Sequence, residues 1–270
     1  LQARVEALAN GPPPEFVAGA TFHGAAVNFA NAKFAEALAK YQAFAKDHPT
    51  SALVPDAALR AGFCQVQLKQ FDEAAKTLAP LTDANKYPKT ADQALLWLGK
   101  AQLGIAAAAD PNNPADRDAK LKAALDSLKK ASERAGQLAG QNDADAKLRR
   151  ADALFEYADA LQVAKQFDPA AQTYEQLWNE QALPTRREEL LARLAGALGA
   201  AGKLDASNQR CDEFRRTFKD GVLTPVVAFR QAENAYAKAV EFAKANPNRG
   251  ADAKAKFEEA GSRYKEVTDK

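Results

Sequence analysis

Several residue types are scarce or missing in this 270-residue sequence, and each absence narrows what the chain can be. Methionine is absent, so we expect the natural chain to start upstream of Leu1 and to be processed or cut there. The two cysteines are too few for a disulfide framework or a zinc site. The two histidines, His23 and His48, have no neighbouring carboxylate at metal-ligand spacing. We therefore expect no metal and no cofactor.

Long apolar runs and blocks of one charge are also missing. The longest weakly polar stretch, residues 94–109, is interrupted by Lys100 and Gln102 and is too short to cross a bilayer. The net charge is +2, from 37 basic and 35 acidic residues. Surfaces for nucleic acid or anionic membranes need concentrated lysine and arginine. The sequence therefore predicts no nucleic-acid partner and no membrane span.

Sequence signatures of catalysis are absent as well. The chain has no phosphate-cradling glycine loop, no nucleophile elbow and no zinc motif. Asp110, Asp116 and Asp118 gather in DPNNPADRD, but this segment lacks the turn glycine and the final glutamate of an EF-hand. We expect its Asp and Asn residues to break and cap helices, and we predict that the protein is not an enzyme.

The sequence does contain a recurring pattern of four residues at steps of three, four and three. In FAEALAKYQAF the pattern falls on Phe34, Ala37, Tyr41 and Phe44. These steps place four side chains on one helical face, so each occurrence predicts the buried stripe of a helix. We call each set a quartet. The other five quartets are Phe71, Ala74, Leu78, Leu81; Leu121, Ala124, Leu128, Ala131; Phe167, Ala170, Tyr174, Leu177; Leu204, Ser207, Cys211, Phe214; and Phe257, Ala260, Tyr264, Val267.

Another helical stretch precedes each quartet. This stretch and the quartet helix are predicted to form a hairpin, as its first and second helix. Gly62 and Gly99 lie in the middle of two of these stretches, where glycine costs about 1 kcal/mol relative to alanine. We therefore expect that helix packing requires glycine at these two positions. The prediction is that glycine lets the small quartet residue of the partner helix, Ala74 or Ala124, approach closely.

The pattern resembles the tetratricopeptide repeat, a helix-turn-helix unit of roughly 34 residues with small residues where its helices cross. The resemblance is strongest around Gly62, Phe71 and Ala74, and around Ala158 and Phe167. It implies an all-α, right-handed α-solenoid of about six hairpins. The predicted organisation is an N-terminal helix tail and proline-rich break over residues 1–14, then one continuous array of two three-hairpin blocks over residues 15–135 and 136–270.

The segment YQAFAKDHPTSALVPDAAL also resembles the repeat variant of bacterial envelope proteins, of the outer-membrane assembly lipoprotein and Tol-associated division coordinator type. The residues that carry this resemblance are Pro49, Ser51, Pro55, Asp56 and Ala57. It implies a periplasmic or cell-envelope location and a role in a bacterial envelope complex.

Hairpin arrays of this family bind ligands on the concave wall formed by their first helices. The resemblance therefore implies a scaffold that binds a helical or extended apolar segment of another protein. The residues that it places on this groove are Phe22, Phe29, Leu59, Phe63, Val66, Leu96, Lys100, Phe155, Asp159, Phe229 and Tyr236.

Three further expectations concern residues outside this groove. Cys64 and Cys211 are predicted to be free buried thiols, three hairpins apart. Trp97 and Trp178 are predicted to pack between hairpins. The last quartet runs nearly to the end of the sequence without a polar capping helix, so an alternative is a spacer that forms homo-oligomers through its C-terminal hairpin.

Overall fold

The structure, a computed structural model, describes residues 14–141, 143 and 145–268. These residues form twelve α-helices and two short 3-10 helices, and no β-strand occurs among them. The predicted fold class, an all-α solenoid of helical hairpins, is confirmed. The predicted helix tail before residue 14 lies outside the described residues.

The helices alternate as the first and second members of six hairpins. In chain order they are α1 (Pro14–Ala30), α2 (Phe34–Asp47), α3 (Val54–Gln67), α4 (Phe71–Leu78), α5 (Ala91–Ala107), α6 (Pro114–Gly140), α7 (Ala146–Val163), α8 (Phe167–Asn179), α9 (Arg187–Ala200), α10 (Leu204–Thr217), α11 (Thr224–Ala245) and α12 (Gly250–Thr268). The 3-10 helices, Ala79–Thr82 and Pro184–Arg186, follow α4 and precede α9.

The chain divides into two compact units, one up to Ala153 and one from Leu154. Within the first unit, each helix from α1 to α5 packs on the next one, and α3 also packs on α5. Within the second, α8 to α12 do the same, and α9 also packs on α11. Each unit is thus built from stacked hairpins. The predicted boundary after residue 135 falls inside α6, and the division into two three-hairpin blocks stays a prediction.

The quartets supply the core, as their spacing predicts. In hairpin one, Ala37, Tyr41 and Phe44 are buried. The second, third and fourth members of the next four quartets are buried as well. The sixth quartet differs, because only Ala260 is fully buried while the larger residues around it keep partial exposure.

Close approach at the mid-helix glycines is confirmed, but the residue that approaches Gly62 is not the one predicted. A Cβ atom at Gly62 would lie 2.5 Å from the side chain of Leu78, one turn beyond Ala74. A Cβ atom at Gly99 would lie 2.6 Å from Leu128. At Gly99 the Ala124 carbonyl oxygen lies 3.3 Å from the same position, whereas the three nearest atoms at Gly62 all belong to Leu78. In both hairpins a quartet leucine fills the space that glycine leaves. The helices therefore cross nearer to the third quartet residue than to the second.

The turns inside the hairpins share one backbone device. Ala32, Lys69, Lys165 and Gly202 each lie two residues before a second helix and have a positive φ of 56–75°. In the Lys165 turn, the next amide, that of Gln166, donates a 2.8 Å hydrogen bond to the Leu161 carbonyl and closes the end of α7. A residue with left-handed backbone conformation, at the same position of the turn, thus helps to reverse the chain in four hairpins.

Buried polar side chains add two specific links between helices. Ser207 replaces the usual quartet alanine, and its hydroxyl donates to the Ala195 carbonyl and accepts from Asn234 at 2.8 Å. In the other unit, the carboxylate of Asp92, which is 2 % exposed, accepts a 2.6 Å hydrogen bond from Arg149. A buried carboxylate needs such a partner because an unpaired buried charge costs several kcal/mol.

We expect the substitutions Gly62→Ala and Gly196→Ala to change stability in opposite directions. At Gly62 the added methyl group meets the immobile Leu78 side chain, and overpacking of this kind costs about 1–3 kcal/mol. At Gly196, inside α9, no atom lies within 4 Å of the new Cβ, so alanine should raise the free energy of unfolding by up to about 1 kcal/mol. Urea unfolding followed by circular dichroism measures both. Equal effects in the two variants would contradict the packing described here.

Candidate functional site

The residues predicted to line the groove fall into two groups in the structure. Phe22, Leu59 and Val66 are buried, at 6 %, 8 % and 9 % exposed, and Phe155 is 0 % exposed. Contrary to the prediction, Phe22, Val66 and Phe155 do not line an open surface, whereas Leu59 borders the depression described below. Phe22 and Phe155 each lie twelve residues before a quartet, and their rings pack on the quartet tyrosines Tyr41 and Tyr174 at 5.6 and 5.5 Å. They belong to the core because this position faces the second helix of its own hairpin.

Phe29, Phe63 and Trp97 form a row of aromatic rings in the first unit, which we call the aromatic ladder. Each ring comes from a different first helix, α1, α3 or α5, and successive rings are 34 residues apart in the sequence. The ring centroids of Phe29 and Phe63 are 4.8 Å apart, and those of Phe63 and Trp97 are 4.2 Å apart. The ladder thus joins three hairpins along one face, and all three rings keep partial exposure.

A surface depression of about 410 Å³ opens beside this ladder. Its lining combines the three rings with apolar and polar side chains of α3 and of the start of α5. Besides the ladder, the lining residues are Asp56, Leu59, Arg60, Thr90 and Gln93. Phe29, Leu59 and Phe63 were predicted for the groove. Trp97 was predicted only to pack between hairpins, and it does so against Phe63 while also lining the depression.

Two cationic side chains lie against aromatic rings of the ladder or next to it. The Arg60 guanidinium lies 5.5 Å from the Phe22 ring centroid and 5.3 Å from that of Phe29. The Lys100 ammonium, from the predicted set, lies 5.1 Å from the Trp97 ring. Such contacts use the negative face of an aromatic ring. Leu96 is half-buried next to Trp97 and does not line the depression.

In the second unit, Asp159 takes part in a hydrogen-bonded cluster. The Tyr174 hydroxyl donates to the Asp159 carboxylate and accepts from Gln162 at 2.9 Å. The Arg193 guanidinium lies 3.7 Å from the same carboxylate. Burial raises the pKa of Asp159, and burial together with the Asp159 charge raises the pKa of Tyr174, so the phenol stays a donor. Asp159 therefore links α7, α8 and α9.

A second depression, of about 580 Å³, lies between α9 and α11. Its lining includes Val222 and Val226, which are 85 % and 56 % exposed. The sequence analysis did not single out these valines. Val222 lies in the turn before α11, and Val226 and Phe229 lie on α11. Their spacing of four and three in the sequence is one that a search for helical apolar stripes would have detected. Phe229 and Tyr236, both predicted for the groove, are 47 % and 51 % exposed on α11.

Neither cysteine lines these two depressions. Cys64 and Cys211 are free and buried, as predicted, and burial raises the pKa of their thiols to about 11 and about 12. Among the described residues, no His, Cys, Asp and Glu side chains are grouped so that three could hold a metal ion. Asn113 caps α6 by accepting from the Asp116 amide at 3.2 Å, which confirms the capping role predicted for this segment.

None of the described helices is both long and apolar enough to cross a membrane. The two depressions instead offer apolar side chains and rings to an external ligand, with charged side chains at their edges. Surfaces of this kind suit recognition of a protein segment.

Comparisons with known proteins agree with this picture of the fold. The sequence model described as Tetratricopeptide repeat matches residues 56–82 and 152–181, which fall in hairpins two and four. The comparison with curated proteins gave no significant match. The matched segments, together with the fold, support the tetratricopeptide repeat family.

Three solved structures illustrate the fold similarity. The MamA protein is 15% identical over 75% of this chain and 92% of its own, with a TM-score of 0.52. A thermophilic TPR protein of Thermus thermophilus is 17% identical over 80% and 98%, with a TM-score of 0.50. A Rap protein complexed with Competence and Sporulation Factor is 11% identical over 99% and 80%, with a TM-score of 0.55. At these identities the likeness shows the fold alone.

Both thiols should be unreactive in the folded protein. A buried thiol with a raised pKa forms little thiolate at pH 8 and reaches a reagent only when the structure opens. We expect Ellman's reagent to modify neither Cys64 nor Cys211 within minutes in buffer, and both at once in guanidinium chloride. Rapid reaction in buffer, separated by Cys64→Ala and Cys211→Ala variants, would contradict the described burial.

Proposed function

We propose that this protein is a non-catalytic scaffold that binds a helical or extended apolar segment of another protein. The observation that carries the proposal is the aromatic ladder of Phe29, Phe63 and Trp97 beside its depression. Aromatic rings that are packed at their base and partly exposed are typical anchors of protein interfaces, since they bury large apolar areas at little entropic cost. The geometry of these three rings, all in the first unit, is what supports the proposal.

The dimensions of the ladder suit a short peptide. The depression, at about 410 Å³, lies within the roughly 300–1,000 Å³ of ordinary ligand pockets. The three ring centroids span at most about 9 Å, given their separations of 4.8 and 4.2 Å. That distance corresponds to about three residues of extended chain or about six of helix. A ligand of this length could contact all three rings.

The charges around the depression favour a mostly apolar ligand with few charges of its own. Arg60 and Lys100 lie on aromatic rings, and Asp56 is the acidic residue of the lining. This near balance offers no strong field to select a highly charged peptide. A similar fold has been solved complexed with Competence and Sporulation Factor, so the fold is compatible with a bound partner.

We further propose that the complex lies in a bacterial cell envelope, with other envelope proteins of the periplasm as its partners. Support comes from the order of Pro49, Ser51, Pro55, Asp56 and Ala57 between α2 and α3. Fractionation of cells that produce the full-length protein tests this location, and recovery in the cytoplasmic fraction would contradict it. The alternative role as a self-associating spacer stays a prediction, and a concentration-independent monomer in sedimentation would exclude it.

Substitution Phe63→Glu tests the ladder directly. Phe63 is the central ring, so a carboxylate there should remove the apolar surface and weaken binding by at least about thirtyfold, the effect of losing an anchor worth about 2 kcal/mol. Peptides selected by phage display against the wild type, with Phe63→Glu for counter-selection, provide ligands. A Trp178→Phe background leaves Trp97 as the fluorescent reporter of their binding.

Val27→Glu is the matched control, because Val27 is 59 % exposed on α1 and belongs to neither the ladder nor the lining of the depression. It should bind the selected peptides like the wild type. Circular dichroism must show the same helicity for both variants. Trp97→Leu provides a second test if Phe63→Glu unfolds, with binding then followed through a fluorescein label on the peptide. Equal affinity of folded Phe63→Glu and wild type would contradict the proposal.

A further inference from the structure

Hairpin four contains a set of three side chains whose arrangement recurs elsewhere in the second unit. Phe155 and Asp159 lie one turn apart on α7, and Tyr174 lies on α8. The Phe155 and Tyr174 rings are 5.5 Å apart at 68°, and the Tyr174 hydroxyl donates to Asp159. We call this arrangement a Phe–acid–Tyr triad.

Hairpin six repeats the triad with the same spacing and nearly the same geometry. Phe229 and Glu233 lie one turn apart on α11, and Tyr264 is the third quartet residue of α12, as Tyr174 is of α8. The Phe229 and Tyr264 rings are 5.7 Å apart at 65°, and the Tyr264 hydroxyl donates to Glu233. The two triads differ in what covers them.

Two arginines from the next hairpin cover the triad of hairpin four. The Arg186 guanidinium lies 3.8 Å from the Phe155 ring centroid, and Arg193 lies 3.7 Å from the Asp159 carboxylate. These arginines are seven residues apart: Arg186 ends the 3-10 helix just before α9, and Arg193 lies on α9, which packs on α8. Phe155 is consequently 0 % exposed.

Hairpin one shows the same use of arginine in the other unit. Phe22 packs on Tyr41, and Arg60 of the following hairpin lies 5.5 Å from the Phe22 ring centroid. Phe22 is 6 % exposed. Cover of the Phe–Tyr pair by an arginine from the following hairpin therefore occurs in both units.

The triad of hairpin six is open by comparison. Phe229 is 47 % exposed, although its ring geometry matches that of buried Phe155. Along the same helix, Val226 and Tyr236 are 56 % and 51 % exposed, so the open stripe covers about three turns. The neighbouring Arg230 side chain runs toward Gly199 on α9. Glu233 places a carboxylate in the middle of this apolar stripe.

We propose that this open triad is the docking site for a helix of another protein that carries one arginine at its N-terminal cap and another seven residues later, among apolar residues. One arginine stacks on Phe229 and the other pairs with Glu233, as Arg186 and Arg193 do in hairpin four. The acidic side chain between exposed rings matches the charge of such a helix. The surface is separate from the aromatic ladder of the proposed function.

A second copy of the chain is a poorer occupant. The arginine pair that fits a triad, Arg186 and Arg193, already covers Phe155 and Asp159 in every copy. To dock on a second copy, this arginine pair would have to leave its own hairpin, and the fully buried Phe155 ring would then be exposed. A separate protein can supply both arginines without this cost.

A synthetic peptide with the sequence of residues 183–201, which contains Arg186, Arg193 and the apolar face of α9, serves as the probe. Its fluorescein-labelled form is titrated with the complete chain, and fluorescence anisotropy reports binding. We expect saturable binding that weakens about tenfold when both peptide arginines are replaced by glutamine. We expect similar losses for the protein variants Phe229→Ala and Glu233→Gln. Glutamine can still accept from Tyr264, so the second variant removes the charge and leaves this hydrogen bond.

Two controls separate this site from other surfaces. Phe16→Ala removes another exposed ring, 69 % exposed on α1, and should leave binding unchanged. Phe63→Glu should also leave it unchanged, so failure of the proposed function and failure of this inference can be told apart. Circular dichroism checks the folding of each variant.

Three results would overturn the proposal. The first is no saturable binding up to about 1 mM peptide, which corresponds to roughly −4 kcal/mol. The second is equal binding of the peptide without arginines, which would indicate a nonspecific apolar contact. The third is reversible self-association of the wild-type chain that Phe229→Ala abolishes, since a second copy would then be the occupant.

Discussion

The two helices of each hairpin approach closely because one of them presents a position without a side chain, or with only a methyl group, where they cross. At Gly62 and Gly99 a leucine from the second helix fills that position. The close crossing aligns the quartets as a continuous core and fixes the direction in which each first helix presents its remaining faces. Both candidate surfaces described above use first-helix side chains that stay partly exposed, although Phe229 also packs on Tyr264 of its own second helix.

The second helices were predictable in detail because their pattern is local. A stripe at steps of three and four has one buried face and one polar face, so the quartets could be identified from the sequence and their burial anticipated. The first helices lack this contrast, because they contact their own partner, the neighbouring hairpins and the outer surface. Phe22 and Phe155 were placed on the wrong face for this reason, and Trp97 was recognised only as a packing residue.

Contacts that depend on hairpin length could not be obtained from periodicity. Tyr174 meets an acid 15 residues earlier in the chain, whereas Tyr264 meets one 31 residues earlier, because α11 and α12 are longer than α7 and α8. The same holds for Asp92 and Arg149, which are 57 residues apart and form a buried pair. Such pairs become visible only when the helices have been placed, since sequence spacing alone does not define the register across a hairpin.

The aromatic ladder has a further consequence for how binding could evolve. Its three rings are supplied by three separate hairpins, whose cores join through the shared first helices. Phe29 and Trp97 each pack on Phe63, so a change at one end of the ladder reaches the other end through this central ring. In the proposed role, substitutions at the two ends would therefore adjust ligand selectivity from opposite sides of Phe63 while the helices beneath keep their order along the chain.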